Sequence, residues 1–167
     1  MVNLSLEVDH NDPDFGGMAK SLERYGNSLA AEMDAAMEMI ADEILKRLRQ
    51  FTPVNERPGP ASEPQGTTRD SWTVLPVGRG EFFITNSNEP VITYITQGTA
   101  AHWVFPTVAK TLHWIDDSGR DRFSKGHEVR GIIGIDIENL VMNEMDPYIE
   151  SLMDMAIDAA DREIGFE

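Results

Sequence analysis

The sequence contains no cysteine, which removes several classes of protein from consideration. A disulfide framework, a thiolate zinc site and a cysteine nucleophile all need that side chain. No apolar stretch approaches the roughly 20 residues of a membrane span, and the first residues lack the basic and apolar regions of a secretory signal. We therefore expect a protein that is made and kept in solution, with no membrane partner.

Positive charge is also scarce. The chain has 14 basic and 29 acidic residues, a net charge of −15, and four of the basic residues are lysines. Such a surface repels phosphate, and no cluster of Lys or Arg offers the basic patch that nucleic-acid binding needs. We expect no sequence-specific binding to nucleic acid. The scarcity of lysine favours adaptation to high salt, in which repulsion between carboxylates is screened.

Sequence motifs for catalysis are missing as well. The four histidines, His10, His102, His113 and His127, match no metal-binding spacing. The Gly-Arg-Gly sequence at 78–80 lacks the third glycine and the following helix of a phosphate-binding loop, and no serine lies in a nucleophile elbow. We predict neither a cofactor nor an enzyme activity. The alternative from that class is a small metal-dependent hydrolase that uses His102, His113 and His127.

What the sequence does contain is the pattern of one α+β domain. The chain, residues 1–167, has an ordinary length for a single core. Near its start, Leu4, Leu6 and Val8 alternate with polar residues. This alternation predicts an N-terminal strand or arm over 1–13.

Two helices are predicted from apolar residues that recur every three or four positions. The first spans residues 18–51, about thirty residues, and is long enough to overhang a small sheet. Its methionine-rich stripe at 33–39 favours core packing over a subunit contact. The second closes the chain over 146–164, because Asp146-Pro147 offers an N-cap followed by proline at the first helical position. Both helices are expected to pack on a sheet.

Strands are predicted between the two helices. Residues 72–75 and 81–85 form one hairpin, and residues 111–115 and 120–123 form a second. The sheet is then small, mainly antiparallel and of about four strands. Residues 91–97 fit either a strand or a short helix, and composition leaves both open.

A long proline-rich loop over residues 52–71 separates the first helix from these strands. Its four prolines exclude both a helix and an interior strand. Loops of this length inside compact domains are usually functional or disordered, so we expect this one to contact a partner. The candidate partner contacts lie in the arm and in this loop: Leu4, Leu6, Val8, Pro53, Pro58, Pro60, Pro64 and Arg69.

The stretch from Tyr94 to Pro106 is more distinctive than its parts. The tyrosine is followed by Gly98-Thr99, by His102 three residues after the threonine, by the proline, and then by a Lys-x-Leu strand entry at 110–112. This order resembles the neck or tail-component family of siphovirus-like tailed viruses. The resemblance covers roughly residues 18–160, since that family also begins and ends with a long helix.

Two flanking segments resemble the family less closely. The Gly-Thr-Thr-Arg-Asp-Ser sequence at 66–71 is similar to the family's Thr-Gly-x-Leu-Arg and serine stretch, with Thr68 in place of the leucine and the first two residues reversed. Downstream, Val129 and Arg130 stand where the family usually has His-Pro before a glycine. The sequence therefore does not decide whether the family's turn forms at this point.

The resemblance implies a structural virion protein at the head–tail junction, a neck or tail-completion component with no catalytic residue. Such a protein forms a homo-oligomeric ring through which DNA passes. It contacts neighbouring head-completion and tail-terminator or tail-tube proteins, after synthesis in the host cytoplasm. The tail terminator of the same stack is the alternative within this class. A third option, outside this class, is a host-side adaptor that binds a basic partner through its acidic face.

The residues of the resemblance then have structural roles. Gly98 permits a left-handed turn, Thr99 and His102 hydrogen-bond the loop backbone, and Pro106 stops the segment before the next strand. An acidic inner wall suits a DNA passage, because repulsion prevents DNA from sticking to it.

Overall fold

The computed structural model describes residues 13–54, 66–116 and 118–164. In chain order its elements are α1 (Pro13–Phe51), α2 (Thr67–Asp70), β1 (Trp72–Gly78), β2 (Glu81–Asn86), α3 (Glu89–Gln97), β3 (Gly98–Thr99), β4 (His102–Val104), β5 (Leu112–Ile115), β6 (Asp121–Ser124), β7 (His127–Val129), β8 (Ile132–Ile133) and α4 (Ile137–Ile164). Two long helices with small antiparallel strand pairs confirm the predicted α+β class. The predicted arm lies outside the described residues, apart from Pro13, at which α1 begins.

α1 and α4 run antiparallel and form the body of the molecule. Near the end of α1, Arg47 pairs with Glu144 near the start of α4, at 3.1 Å between Nη1 and Oε2. At the other end, the hydroxyl of Ser28 donates to the carboxylate of Glu163. Because α1 has 39 residues and α4 has 28, the first part of α1 extends past the last described residue of α4. The first helix overhangs the rest of the fold, as predicted.

The core lies between these helices and continues under β1 and α3. It contains Trp72 and Ile92, and the following buried residues of the long helices: Ala36, Ile40 and Leu48 in α1, and Ile137, Val141, Met145, Leu152 and Ala156 in α4. Burial of one leucine, isoleucine or methionine side chain contributes about 1.5–3 kcal/mol. Packing of these apolar stripes therefore holds α1 and α4 together and stabilises both helices. In the methionine-rich stripe, Met33 and Met37 pack against the core as predicted, whereas Met39 is exposed.

α4 begins earlier than predicted. The expected start at Asp146 is wrong, because the helix already begins at Ile137 and carries Pro147 in its interior. Asp136 acts as the N-cap, and its Oδ1 accepts a hydrogen bond from the N–H of Asn139 at 3.2 Å. An interior proline costs roughly 3 kcal/mol, but the helical turns before it bury Ile137, Val141 and Met145. Tertiary packing of those three side chains offsets the cost.

The first predicted hairpin is confirmed. β1 and β2 pair antiparallel along their length, and Gly80 provides the positive φ of 63° in the tight turn. Arg79 of the same turn pairs with Asp34 of α1. At the other end, Nε1 of Trp72 donates to Oγ1 of Thr52 at 2.8 Å. The hairpin therefore lies along α1.

The proline-rich loop is described only at its two ends. Residues 55–65, which contain three of its four prolines, lie outside the described residues. The prediction of no helix over 52–71 is wrong at the loop's end, where Thr67–Asp70 form α2. This single turn lies beyond the last proline, so every residue in it has a backbone N–H that can donate a hydrogen bond. The hydroxyl of Ser71 closes it by donating to the carbonyl oxygen of Thr67 at 2.6 Å.

The open choice at residues 91–97 is resolved as a helix. α3 spans Glu89–Gln97, with a proline in its first turn and Gly98 at its C-cap. Ile92 is buried in the core and Ile95 packs against it. α3 thereby connects the body of the molecule to the strands that follow.

Residues 98–133 form a two-stranded ribbon that starts at α3. β3 pairs with β8, and β4 with β7, in one shared register from Gly98 opposite Ile133 to Val104 opposite His127. β5 and β6 form the predicted second hairpin at the far end. The described strands thus make four two-stranded pairs, where a single sheet of about four strands was predicted. The two hairpins share no edge because one lies on α1 and the other ends the ribbon.

Candidate assembly surface

The predicted turn motif lies where α3 ends and the ribbon begins. It consists of Tyr94, Gly98, Thr99, His102 and Pro106. Gly98 has φ 75° and ψ 178°, and its N–H donates to the carbonyl oxygen of Tyr94. The positive φ confirms the need for glycine, but the extended ψ corrects the expected left-handed turn. A Cβ at position 98 would lie 2.5 Å from the carbonyl oxygen of Ile132, so glycine also permits this close contact between backbones.

Two other members of the motif, Thr99 and His102, make the hydrogen bonds to the backbone that were predicted for them. Oγ1 of Thr99 accepts a hydrogen bond from the N–H of Ile132 at 3.2 Å. Nδ1 of His102 donates to the carbonyl oxygen of Ala100 at 3.1 Å, since a carbonyl oxygen can only accept. Pro106 follows β4, which ends at Val104. The motif is therefore a structural joint.

A cleft of about 470 Å³ opens at this joint. Its lining includes Tyr94, Thr99 and His102 of the motif, with Arg130 and Ile132 on the returning side of the ribbon. Arg130 makes no hydrogen bond or ion pair with any residue that the structure describes. The cleft is thus a mainly apolar recess beside an arginine that has no partner among the described residues.

The ribbon exposes an unusual amount of apolar surface. Ile133 is 91% exposed, Phe123 67% and Trp103 60%. The ring of Trp103 stacks on Phe105 with centroids 6.0 Å apart, which leaves both rings facing solvent. The exposed large apolar residues of the ribbon are Trp103, Phe105, Val108, Trp114, Ile115, Phe123, Ile132 and Ile133. At about 150–250 Å² for a buried aromatic side chain, they present on the order of 1,000 Å².

That exposure follows from the ribbon's thickness. None of the residues in β3 to β8 is buried. A pair of strands has two faces and no second layer, so one copy of the chain cannot cover both. Monomeric proteins rarely expose contiguous apolar patches larger than a few hundred Å². The ribbon therefore has the character of an interface.

The histidines of the ribbon are used for packing. Nε2 of His113 donates to Asp121 across the β5–β6 pair at 2.6 Å, and its ring stacks on Phe123 with centroids 4.8 Å apart. The ring of His127 lies against Trp114 at 4.5 Å. Within the described ranges, no group of three or more His, Asp or Glu residues could hold a metal ion. The hydrolase alternative, which needs His102, His113 and His127 together, gains no support from this placement.

Asp116 organises the tip of the ribbon. Its Oδ1 accepts hydrogen bonds from the backbone N–H of Ser118 at 2.9 Å and of Arg120 at 3.0 Å, and from the Ser118 hydroxyl at 2.6 Å. Its Oδ2 accepts from Nε of Arg122 at 2.9 Å. The Ser118 hydroxyl, the Arg120 N–H and the Arg122 guanidinium lower the pKa of Asp116 to about 2. The turn is thus built around a carboxylate that stays charged.

Comparison with known proteins gives no relative. No family model, no curated protein and no solved structure matches the chain. Among the described helices, none combines the length and the apolar character that crossing a membrane would require. The surface must therefore be interpreted from its own chemistry.

The ribbon also differs from the rest of the chain in charge. Residues 98–133 hold five basic and four acidic residues, a net charge of +1, whereas the whole chain has −15. Arg120 and Arg122 are paired with Asp116. Lys110 and Lys125, like Arg130, have no acidic partner among the described residues. The ribbon is therefore an apolar, slightly basic element on an acidic molecule.

A second exposed apolar feature lies at the opposite end of the body. Residues 16–24 of α1 are all exposed, and we call them the projecting segment. Met18 is 55% exposed and Leu22 61%. At Tyr25, the next aromatic residue, partial burial and then a hydrogen bond to Asp161 of α4 raise the pKa of the phenol. The apolar stripe predicted for α1 thus starts in the projecting segment, and no described part of the chain covers that segment.

Few of the predicted partner contacts can be located. Pro53 is exposed at the end of α1. Arg69 is half-buried and its Nε donates to Asp70 at 2.8 Å, so it has a partner within the chain. The remaining candidates lie outside the described residues: Leu4, Leu6, Val8, Pro58, Pro60 and Pro64.

The strongest surface feature was missed from the sequence. Trp103 and Phe105 belong to the distinctive stretch but were not expected to contact a partner, and Phe123 and Ile133 were not singled out at all. One signal was available. Strand segments of three or four residues, separated by Gly, Pro and Ser, cannot build a layered sheet, so their aromatic residues had no core to enter.

Proposed function

We propose that this protein is a structural component of a tailed virus that assembles into a homo-oligomeric ring at the head–tail junction. DNA passes through the ring, and neighbouring head-completion and tail-terminator or tail-tube proteins bind its two sides. The protein catalyses no reaction in this proposal. The mature location is the virion.

The observation that carries the proposal is the exposed ribbon. The apolar side chains on its two faces together expose on the order of 1,000 Å², which is comparable with the roughly 800 Å² that each partner contributes to a standard protein interface. The joint that orients the ribbon is made of the residues that resemble the tailed-virus family, Gly98, Thr99 and His102. The feature that suggests the family is thus also the feature that presents the interface.

Charge supports a passage for DNA. α4 carries exposed carboxylates at Glu150, Asp154 and Asp158 on the face away from the core. Such a face repels phosphate, so DNA that moves past it is not retained. The same surplus of acid fits a host that lives in high salt, where screening reduces repulsion between copies.

The test is the mass of the purified protein and the shape of the particle. We expect native mass spectrometry and sedimentation at about 0.1 M and about 1 M salt to give one closed oligomer, at least in the higher salt. Electron microscopy of that oligomer should show a ring with an acidic channel. A strictly monomeric protein in both salts, or a ring with a basic lumen, would rule out the proposal. A ring that binds only tail-tube ends would favour the tail terminator of the same stack.

A further inference from the structure

We infer that two copies of this chain pair through one face of the ribbon, about a two-fold axis that crosses the ribbon near Val129. We call this surface the aromatic face, and it carries Trp103, Phe105, Glu128, Arg130 and Ile132. Its occupant is the same face of a second copy. The inference goes beyond the proposed function, because it assigns one contact and its symmetry whether or not the copies also close into a ring.

The pairing register puts these residues on one face. Trp103 lies directly opposite Glu128, and residues that are opposite each other on two strands point to the same side. Side chains two positions apart along a strand also share a side, which adds Arg130 and Ile132. Phe105 follows Trp103 by two positions, and the two rings stack. The large apolar groups and the two charges therefore form one continuous surface.

The opposite face of the ribbon has more cover of its own. There the ring of Trp114 lies against His127 with centroids 4.5 Å apart, and Val104 and Val129 are half-buried. Ile133, at the base of the ribbon, is the exception at 91% exposure. On the aromatic face, each of the three large apolar side chains is more than half exposed. The aromatic face is therefore the one that most needs a second layer.

Charge on the aromatic face selects a second copy as the occupant. Glu128 and Arg130 are both exposed, and neither makes a hydrogen bond or ion pair with any residue that the structure describes. A surface with one unpaired acid and one unpaired base is complementary to itself after a two-fold rotation. Each Glu128 then meets the Arg130 of the other copy, so one contact gives both charges a partner.

The same axis brings an exposed ring to the cleft at the joint. A two-fold axis at Val129 reverses the order of residues along the ribbon, so Trp103 of one copy faces Ala101 of the other. Phe105, two residues farther along, faces Thr99, which lines the cleft of about 470 Å³. Two large rings thus meet a small residue and a recess, as close packing between two layers requires.

The area is sufficient for a stable pair. Trp103, Phe105, Ile132 and, in the cleft, Tyr94 are each more than half exposed, and they present on the order of 500 Å² of apolar side chain in each copy. Non-polar atoms form roughly 60% of a typical interface. The whole contact is therefore about 800 Å² in each copy, the size of a standard interface. Two strand pairs that pack face to face at about 10 Å also form two layers.

The symmetry predicts how this contact combines with a ring. A two-fold contact by itself ends at two copies. Where a head-to-tail contact through other surfaces closes a ring, the two-fold contact joins two such rings face to face, and the number of chains is even. Ile133 on the opposite face and the projecting segment of α1 lie outside the two-fold contact, so both are left for the second one.

The test exchanges the two charges. Glu128→Arg leaves two bases on the aromatic face and Arg130→Glu leaves two acids, so each variant alone places like charges opposite each other across the axis. We expect each change to raise the dissociation constant of the pair at least about tenfold, measured by analytical ultracentrifugation in about 0.1 M salt. Mixed in equal amounts, the two variants should pair with each other as tightly as the wild type pairs with itself, because every acid again meets a base.

Matched controls separate this contact from net charge and from misfolding. Glu150→Arg and Lys20→Glu change the charge by the same amounts at exposed positions of the long helices, and they should pair as the wild type does. Phe105→Ser removes the ring from the cleft and should weaken pairing in about 0.1 M and about 1 M salt alike, whereas the charge effects should shrink in the higher salt. Val108→Ser, at a fully exposed apolar residue, is its control, and far-UV circular dichroism checks every fold.

The outcomes separate the contact from the proposed ring. If the single charge variants pair as the wild type does, or if their mixture restores no pairing, the inferred contact is wrong, and a ring seen by electron microscopy still supports the proposed function. If the mixture restores the pair but no ring forms in either salt, the contact stands and the proposed ring fails. A wild type that is strictly monomeric in both salts removes both.

Discussion

Replacement of Gly98 by alanine tests the joint between α3 and the ribbon. Its φ of 75° with ψ of 178° lies in a region nearly restricted to glycine, and another residue there costs about 1–3 kcal/mol. The new Cβ would lie 2.5 Å from the carbonyl oxygen of Ile132 and 2.6 Å from the nitrogen of Gly134, so the strands must separate. We expect Gly98→Ala to lower the free energy of unfolding by about 2–4 kcal/mol.

Gly26→Ala is the matched control. Gly26 lies in α1, and a Cβ built there meets no atom within 4 Å, so alanine should stabilise the helix by about 0.5–1 kcal/mol. Urea unfolding, followed by far-UV circular dichroism and by tryptophan fluorescence, measures both variants. For a domain of this length, 1 kcal/mol moves the melting temperature by roughly 2–4 °C. If Gly98→Ala leaves the urea unfolding midpoint unchanged, position 98 is not strained. If Gly26→Ala is also destabilised, the loss at position 98 does not report strain at the joint.

Three further perturbations have expected outcomes. The pKa of Asp116 is about 2 in the folded protein against an ordinary 3.8, so its carboxylate stabilises the fold above pH 3.8 and this contribution is lost as the pH falls through about 2. Asp116→Asn should therefore flatten the acid limb of the stability curve, measured by thermal melts across pH. Thr52→Val leaves the buried Nε1–H of Trp72 without its acceptor and should lower the free energy of unfolding by about 1–3 kcal/mol, measured by urea titration. The melting temperature of the wild type should rise between about 0.1 M and about 1 M salt, because screening relieves the repulsion of a −15 chain.

Each of these has a result that would contradict it. Asp154→Asn, at an exposed acid, should keep the wild-type acid limb. If Asp116→Asn and Asp154→Asn change the acid limb equally, the hydrogen bonds of Asp116 do not stabilise the fold as argued. Thr52→Val combined with Trp72→Phe should cost less than the sum of the single changes, since the unpaired donor is gone. A melting temperature independent of salt would remove the case for a high-salt host.

Regular periodicity made much of the fold predictable. The stripe of α1, the β1–β2 hairpin around Gly80 and the β5–β6 hairpin at the tip all follow from local spacing and turn residues. The start of α4 did not follow, because Pro147 is a stronger local signal than the buried residues before it. Only the packing of Ile137 and Val141 against α1 shows that the helix continues through the proline.

The candidate site was predictable only in part. Gly98, Thr99 and His102 were predicted as a turn motif, because glycine with short polar residues is a local signal for a turn. The positive φ of Gly98 agrees with that prediction and its extended ψ does not. The exposure of Trp103 and Ile133 is not a local property. It depends on whether a second layer of structure exists, and the sequence of one copy does not state what lies against the ribbon.

The acidity and the exposed ribbon have complementary consequences. Aromatic residues such as Trp103 and Phe123 on a thin strand pair invite non-specific association, and an isolated strand pair is marginal in water. A net charge of −15 opposes random contacts between copies, since most approaches bring acid against acid. Only an approach that lands on the ribbon avoids much of this repulsion, because that region has +1. In the proposed ring, the charge of the chain would therefore disfavour contacts between copies other than those made on the ribbon, and the salt concentration would set how strongly it does so.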